Sequence, residues 1–178
     1  KSPRIPVDWE EYILCLANIE TRKNQKILIE ACKASKKKLV LVGHIRDKDY
    51  FRSLELDSND SVIYYGSVGN HTSEFFSLLL NAKCFILPSR LETPGLAALE
   101  AAALGIPIIV TSEGCAKEYF GRIDTYYDGK KGDVKELSDL ITKVFINQTS
   151  GLVNFDQIKN FSWDKCIDNQ ILIYEELM

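Results

Sequence analysis

The chain is poor in the residues that metal and redox chemistry draw on. Among 178 residues it has two histidines, His44 and His71, and one methionine. Its five cysteines, at 15, 32, 84, 115 and 166, are an odd number and form no C-x-x-C. With only two histidines to join them they make no structural zinc set, and no metal is expected. Four of the five lie in apolar segments, the habit of reduced, buried thiols, which points to a reducing cytoplasmic setting. On that reading the N-x-[ST] triplets at Asn59, Asn70, Asn147 and Asn160 are chance. Positive charge is not in excess either. Lys and Arg number 22 against 25 Asp and Glu, a net charge of −3, so no global basic face exists for nucleic-acid phosphates. The most apolar stretch, Leu96 to Val110, is broken by Glu100 and Gly105 and falls short of the ~20 residues of a membrane span. No basic segment followed by an apolar one opens the chain, so no signal peptide is expected.

Familiar motifs are missing as well. No G-x-G-x-x-G follows the first strand pattern, and Gly129-Lys-Lys-Gly132 has the wrong spacing for a P-loop. H-E-x-x-H, the EF-hand pattern and G-x-S-x-G are absent. His44 follows Val42-Gly43 at the end of a strand pattern, but no nucleophile motif accompanies it. A solvent-facing or backbone-bonded histidine is the reading there.

What remains is ordinary globular composition, 46% hydrophobic and 26% charged, at a length of about one domain of ~150 residues with a little to spare. Residues 1–9, with Pro3 and Pro6, read as a leading linker, and 10–178 as one domain. Short continuous apolar runs predict strands buried on both faces at Tyr12–Ala17, Leu39–Val42, Val62–Tyr65, Cys84–Leu87 and Ile108–Val110. Asp124–Tyr127 predicts a sixth, at an edge. Helical periodicity predicts helices over Asn24–Ala34, Asp47–Leu56, Thr72–Lys83, Ala116–Phe120 and Asp133–Ile146, with a last one from Ser162 to Leu177. Between Asn147 and Asn160 the pattern is weak. One further helix is heavily punctuated: Thr93 fits its N-cap, Pro94 its first position and Gly105 the residue past its end. Strands separated by helices of about ten residues give βαβ units. The expected fold class is α/β, a Rossmann-like doubly wound parallel sheet with helices on both faces. Such sheets bind ligands beyond the carboxyl ends of their strands, which directs attention to loops 18–23, 43–46, 66–71, 88–94 and 111–115.

Two of these loops carry chemistry. In Leu96-Ala-Ala-Leu-Glu-Ala-Ala-Ala-Leu104 the one charged residue is Glu100. An apolar helix is buried on most sides, so this carboxylate is expected to be buried and therefore paired or hydrogen-bonded. The helix N-terminus at Thr93 to Leu96 offers free N–H groups and a positive dipole end, and Gly95 permits close approach of a ligand. Glu92 lies at the same mouth. Across from it, Arg22 and Lys23 in the loop after the first strand stand where phosphates bound at the mouth would meet them. A purely structural alternative stays open: Glu100 bonded to a neighbouring loop's backbone, Glu92 paired with Arg90 or Arg22, and a solvated Arg-Lys pair.

The segment Pro88-Ser-x-x-Glu-x-x-Gly-Leu-x-x-Leu-Glu-Ala-x-x-x-Gly-x-Pro107 resembles the E-x7-E signature of family 4 glycosyltransferases, retaining enzymes of the GT-B fold. Further blocks match in the family's order: Asn18-Ile-Glu-Thr-Arg-Lys-Asn-Gln25, Leu39-Val-Leu-Val-Gly43, Val62-Ile-Tyr-Tyr-Gly-Ser-Val68, Glu118-Tyr-Phe-Gly121 and Phe161-Ser-Trp-Asp164. The resemblance covers roughly residues 10 to 177 and implies the C-terminal, donor-binding half of a two-domain enzyme. It implies a nucleotide-diphospho-sugar donor (UDP-, GDP- or ADP-linked) and transfer of a hexose to a glycan or lipid-linked acceptor held by an N-terminal domain. That missing domain would also supply any peripheral attachment to the inner face of a membrane. By position, Glu92 would contact and orient the donor sugar as the catalytic candidate, and Glu100 would bond the ribose hydroxyls. Arg22, Lys23 and the backbone at Thr93, Pro94, Gly95 and Leu96 would hold the diphosphate, and Gly66 to Val68 would lie near the base. Two departures bear on the donor sugar: Thr93-Pro94 replaces the commoner Gly-Phe, and Ala17-Asn18 the commoner Gly-Arg. A nucleotide-sugar-binding module without turnover and half of a sugar-nucleotide epimerase are the alternative readings.

Overall fold

The computed structural model describes residues 11–56, 60–93, 95–147 and 149–176. Six strands form one parallel sheet: β1 (Tyr12–Leu16), β2 (Lys38–Val42), β3 (Val62–Gly66), β4 (Ala82–Leu87), β5 (Ile108–Thr111) and β6 (Tyr126–Tyr127). The helices are α1 (Gln25–Ser35), α2 (Lys48–Arg52), α3 (Ser73–Leu80), α4 (Leu96–Ala103), α5 (Ala116–Phe120), α6 (Val134–Ile146), α7 (Phe155–Lys159) and α8 (Trp163–Glu176). Strand order is β3-β2-β1-β4-β5-β6. The chain therefore builds outward from β1 to β3, crosses back, and continues from β4 on the other side of β1. That reversal opens a crevice between the carboxyl ends of β1 and β4, the place where doubly wound sheets bind ligands.

Alternation along the strands explains the two layers. Tyr12, Leu14, Val40, Val42, Phe85 and Leu87 point into one core with α3, α4, α5 and α7. Ile13, Cys15, Leu39, Leu41, Cys84 and Ile86 point into the other with α1 and α6. Because both faces are covered, the strands read as continuous apolar runs rather than alternating ones. Three cysteines, Cys15, Cys32 and Cys84, lie in the second core, where burial pushes the Cys15 thiol up to about 12 and the other two upward as well. Cys115 is half-buried and Cys166 exposed. No described helix is long and apolar enough to cross a membrane.

Several boundaries differ from expectation for identifiable reasons. The third helix stops at Leu80, not Lys83, because Ala82 already pairs with Tyr12 in the sheet. Likewise α2 is shortened to Lys48–Arg52, capped by the Asp47 carboxylate accepting from Tyr50 N. The sixth strand is only Tyr126–Tyr127. The weak junction after Asn147 contains α7, capped by Asn154, and is tied to the sheet by Asp124. Its carboxylate accepts from Gly151 N at 3.0 Å and Ser150 Oγ at 3.1 Å, with Lys143 Nζ at 2.8 Å. Gly151 O in turn accepts from Ile108 N at 2.9 Å. The leading linker, Leu177 and the triplet residue Asn59 lie outside the described residues.

Asp124→Ala removes these acceptors while leaving the cores intact. It is expected to lower stability by about 1–2 kcal/mol, read as a fall in the urea midpoint with an unchanged slope.

Candidate functional site

The site is built where the loops after β1 and β4 meet across the crevice. After β1 the chain makes a tight turn, with Lys23 N donating to Glu20 O at 2.9 Å and Asn24 N to Thr21 O at 3.2 Å. Asn24, at φ 58°, ends that turn and starts α1. The turn is fastened behind by Gln25 Nε2, which donates to Asn18 O at 2.8 Å. Its effect is to drive Lys23 inward, leaving it 9% exposed. After β4, Ser89 is wholly buried and Glu92 nearly so.

These side chains converge. Lys23 Nζ lies 2.5 Å from Glu92 Oε2, and Ser89 Oγ donates to the same oxygen at 2.8 Å. The other oxygen, Oε1, accepts from Thr93 N at 3.3 Å and has Arg22 Nη1 at 3.5 Å. Arg22 also donates to Leu91 O at 3.2 Å and to Glu20 at 3.0 Å. Burial pushes the Glu92 carboxyl up, but the hydrogen bond and charge of Lys23, the Ser89 hydroxyl and the Arg22 charge outweigh it. The carboxyl is held below its usual range. An apolar recess walled by Leu87, Ala98, Val110 and Phe120 lies against Glu92 and Gly95, which keeps this cluster in a low-dielectric setting where charge interactions are strong.

The Glu92 backbone is clamped as well. It forms an isolated bridge with Gly114 in the β5–α5 loop, with Cys115 N donating to Glu92 O at 3.3 Å. At Gly114, φ is 88°, and a Cβ would come within 2.0 Å of Glu92 O. Only glycine lets the two loops touch.

The α4 N-terminus differs from the expected one. Gly95, not Thr93, is the N-cap, in the left-handed region at φ 48° with no side-chain cap. Thr93 is exposed, and its N–H is already taken by Glu92. Pro94 lies outside the described residues. Gly95 O accepts from Ala98 N and Leu99 N, so the N–H groups of Gly95, Leu96 and Ala97 have no acceptor within the helix. Leu96 is exposed at the mouth. Two cations and a free helix end thus adjoin one carboxylate, an arrangement suited to a multiply charged anion.

Glu100 is not the buried carboxylate. Its side chain is 31% exposed, and its Oε1 lies 2.8 Å from His71 Nε2. The sheet-facing positions of α4 are Ala98, Ala101 and Ala102, which turns Glu100 toward the β3–α3 loop. The burial expected at Glu100 belongs to Glu92. Of the structural alternatives, Glu92 with Arg22 is present, as an ion pair weaker in geometry than the one with Lys23. Val68, in that same β3–α3 loop, is partly buried against the first core. His44 is exposed and its carbonyl accepts from Ile19 N. Sequence reasoning missed Ser89, although it stands three residues before Glu92 in the signature, and His71, which no motif marked. Among the described residues no group of His, Cys, Asp and Glu could hold a metal ion.

With its carboxyl depressed in the folded state, Glu92 contributes stability that is complete above about pH 4.3, its unfolded value. That contribution is lost as pH falls through the folded value. Glu92→Gln leaves Lys23 buried without a counter-ion, at a cost of about 3–5 kcal/mol near pH 7. The gap between wild type and variant in urea midpoint is expected to narrow as pH falls from about 5 through the folded value of Glu92. A gap constant across that range would place the ion pair's contribution elsewhere.

Comparison with known proteins bears on family and fold. Residues 4–159 match the family model described as glycosyl transferases group 1. A curated relative, the N,N'-diacetylbacillosaminyl-diphospho-undecaprenol alpha-1,3-N-acetylgalactosaminyltransferase of Campylobacter jejuni, is 30% identical over 161 residues, 89% of this chain and 41% of that protein. The chain spans less than half the length of this relative and of a second curated one that it matches. Among solved structures, a glycosyltransferase from Rickettsia africae superposes with a TM-score of 0.75 at 21% identity, covering 93% of this chain and 47% of that one. The Anabaena protein Alr3699/HepE, solved in complex with UDP and glucose, gives 0.74 at 18% identity, covering 95% and 49%. At such identities these structures speak to the fold, that of GT-B glycosyltransferases. With the family model spanning most of its length, the chain belongs to the group 1 glycosyl transferases.

Proposed function

We propose that this chain is the donor-binding domain, the C-terminal half, of a retaining family 4 glycosyltransferase that transfers a hexose from a nucleoside-diphosphate sugar to a glycan or lipid-linked acceptor. The observation that carries the reading is the buried Lys23–Glu92 pair beside the open N-terminus of α4, in the crevice where strand order reverses. Family membership supports a nucleotide-sugar donor, and the Anabaena neighbour holds UDP and glucose in the same fold. The length of the relatives supports a second domain that carries the acceptor.

On this reading Lys23 and Arg22 face the diphosphate from one side and the N–H groups of Gly95 and Leu96 from the other. They neutralise charge that grows on the leaving phosphate as the sugar bond breaks. Glu92 serves two ends. Its carboxylate fixes Lys23, and at the crevice mouth it orients the donor sugar as the catalytic candidate. Glu100 accepts from the ribose hydroxyls, and Gly66 to Val68 border the base. The protein's own cations supply the counter-charge in place of a metal ion. Leaving-group departure and acceptor attack on one face would preserve the anomeric configuration. The cysteine pattern supports a cytoplasmic location for this half.

Calorimetry of the chain against UDP, GDP and ADP tests the proposal. One diphosphate is expected to bind above the others, with Lys23→Met weakening it about ten- to a hundredfold, the loss of one charge-assisted contact. The corresponding nucleoside should be nearly indifferent to that change. Glu100→Ala should weaken nucleoside and diphosphate alike. No binding to any of the three, or binding unaffected by Glu100→Ala, would sink the reading.

A further inference from the structure

We propose that His71 is a specificity-determining residue of this site: its imidazole holds the Glu100 carboxylate so that the remaining oxygen reads the vicinal hydroxyls of a ribonucleotide. The inference rests on the assignment of Glu100 to the ribose made above, and extends it to a residue that the signature does not contain.

The contact joins two elements that the strand order keeps apart. His71 lies in the loop after β3 and Glu100 in α4 after β4, with β2 and β1 between those strands. His71 Nε2 stands 2.8 Å from Glu100 Oε1. A carboxylate only accepts, so Nε2 carries the proton whether the ring is neutral or charged. One oxygen of Glu100 is thereby occupied. The other has no hydrogen-bond partner among the described residues and remains an open acceptor. With one oxygen held, the carboxylate loses part of its rotational freedom, and a diol meets an acceptor already biased in orientation.

The imidazole is itself positioned. It lies nearly parallel to the Phe76 ring, at 6.1 Å and 14°, and edge-on to Phe75 at 5.8 Å and 89°. Phe75 is anchored in the core, and Thr72 Oγ1 accepts from its N–H at 3.2 Å, so the start of α3 gives the ring a firm backing. The neighbouring carboxylate, Glu74, is engaged by the Tyr65 hydroxyl at 2.7 Å. Glu100 is therefore the carboxylate on which the imidazole acts.

Stability alone accounts poorly for this arrangement. The side chains are 68% and 31% exposed, and an ion pair so placed adds little to folding. Yet His71 sits at φ 58°, a left-handed conformation that costs a non-glycine residue something to hold. An element that is unfavourable locally and contributes little globally points to a task at the mouth of the site.

The test measures a preference rather than an affinity. The chain is titrated with whichever of UDP, GDP or ADP it binds best and with the 2′,3′-dideoxy form of the same nucleotide. Wild type is expected to favour the ribonucleotide, and Glu100→Ala to abolish the preference. His71→Asn tolerates the positive φ but is too short to reach Glu100. It should reduce the preference about three- to tenfold through the ribonucleotide alone, a share of one charged hydrogen bond. His71→Gln, whose amide nitrogen can replace Nε2, should restore most of it. If His71→Asn weakens both nucleotides equally, or leaves the ratio unchanged while Glu100→Ala removes it, the role given to His71 is wrong and that of Glu100 stands. If Glu100→Ala also leaves the ratio unchanged, the ribose assignment falls and the inference falls with it.

Discussion

A lysine ammonium and a glutamate carboxylate in contact, both nearly out of water, are the constraint on which the crevice depends. Lys23 and Glu92 are 69 residues apart in sequence and come from loops after different strands. Removing either charge from water costs several kcal/mol, and their attraction offsets this only when geometry and extra hydrogen bonds are good. Ser89 and the Thr93 N–H supply those bonds. Once the pair is made, the loop after β1 cannot move without the loop after β4. The reversal of strand order brings these loops together, and the ion pair keeps them in register.

That constraint also orders the parts around it. Arg22 is held at the rim by the Leu91 carbonyl and by Glu20, so its charge stays near the crevice mouth. Gly114 allows the β5–α5 loop to rest on the Glu92 backbone, and Lys130 pairs with Glu113 of that loop. The like charges of Lys23 and Arg22 are thus gathered and countered within the fold itself.

Most of the fold was legible because two-sided burial leaves a plain mark. Runs such as Leu39–Val42 and Cys84–Leu87 have no reading but a covered strand, and α6 shows its apolar stripe openly. The candidate site was legible in composition but not in geometry. Glu100 looked buried because its neighbours are alanine and leucine, yet a helix of eight residues has an outer face, and Glu100 occupies it. Nothing in the sequence marked Glu92 as buried, since it stands in a loop. Its burial comes from Lys23, Ser89 and Gly114, all distant in sequence or invisible to periodicity. The cap at Thr93 failed because the helix begins only at Leu96, with Gly95 in the left-handed region as its N-cap. α7 escaped notice because its anchor, Asp124, precedes it by some thirty residues.

The last helix invites a different view of the chain. Every described residue of α8 is exposed, including Trp163, Ile167, Ile171 and Tyr174 along one side. A helix of fourteen residues with no packed face has little beyond its own backbone bonds to hold it, and such helices are marginal in water. Its melting would not be felt by the sheet. The cooperative unit therefore closes at α7, where Ile158 enters the core and Tyr119 meets Phe161. Beyond it, α8 adds no buried side chain to either core.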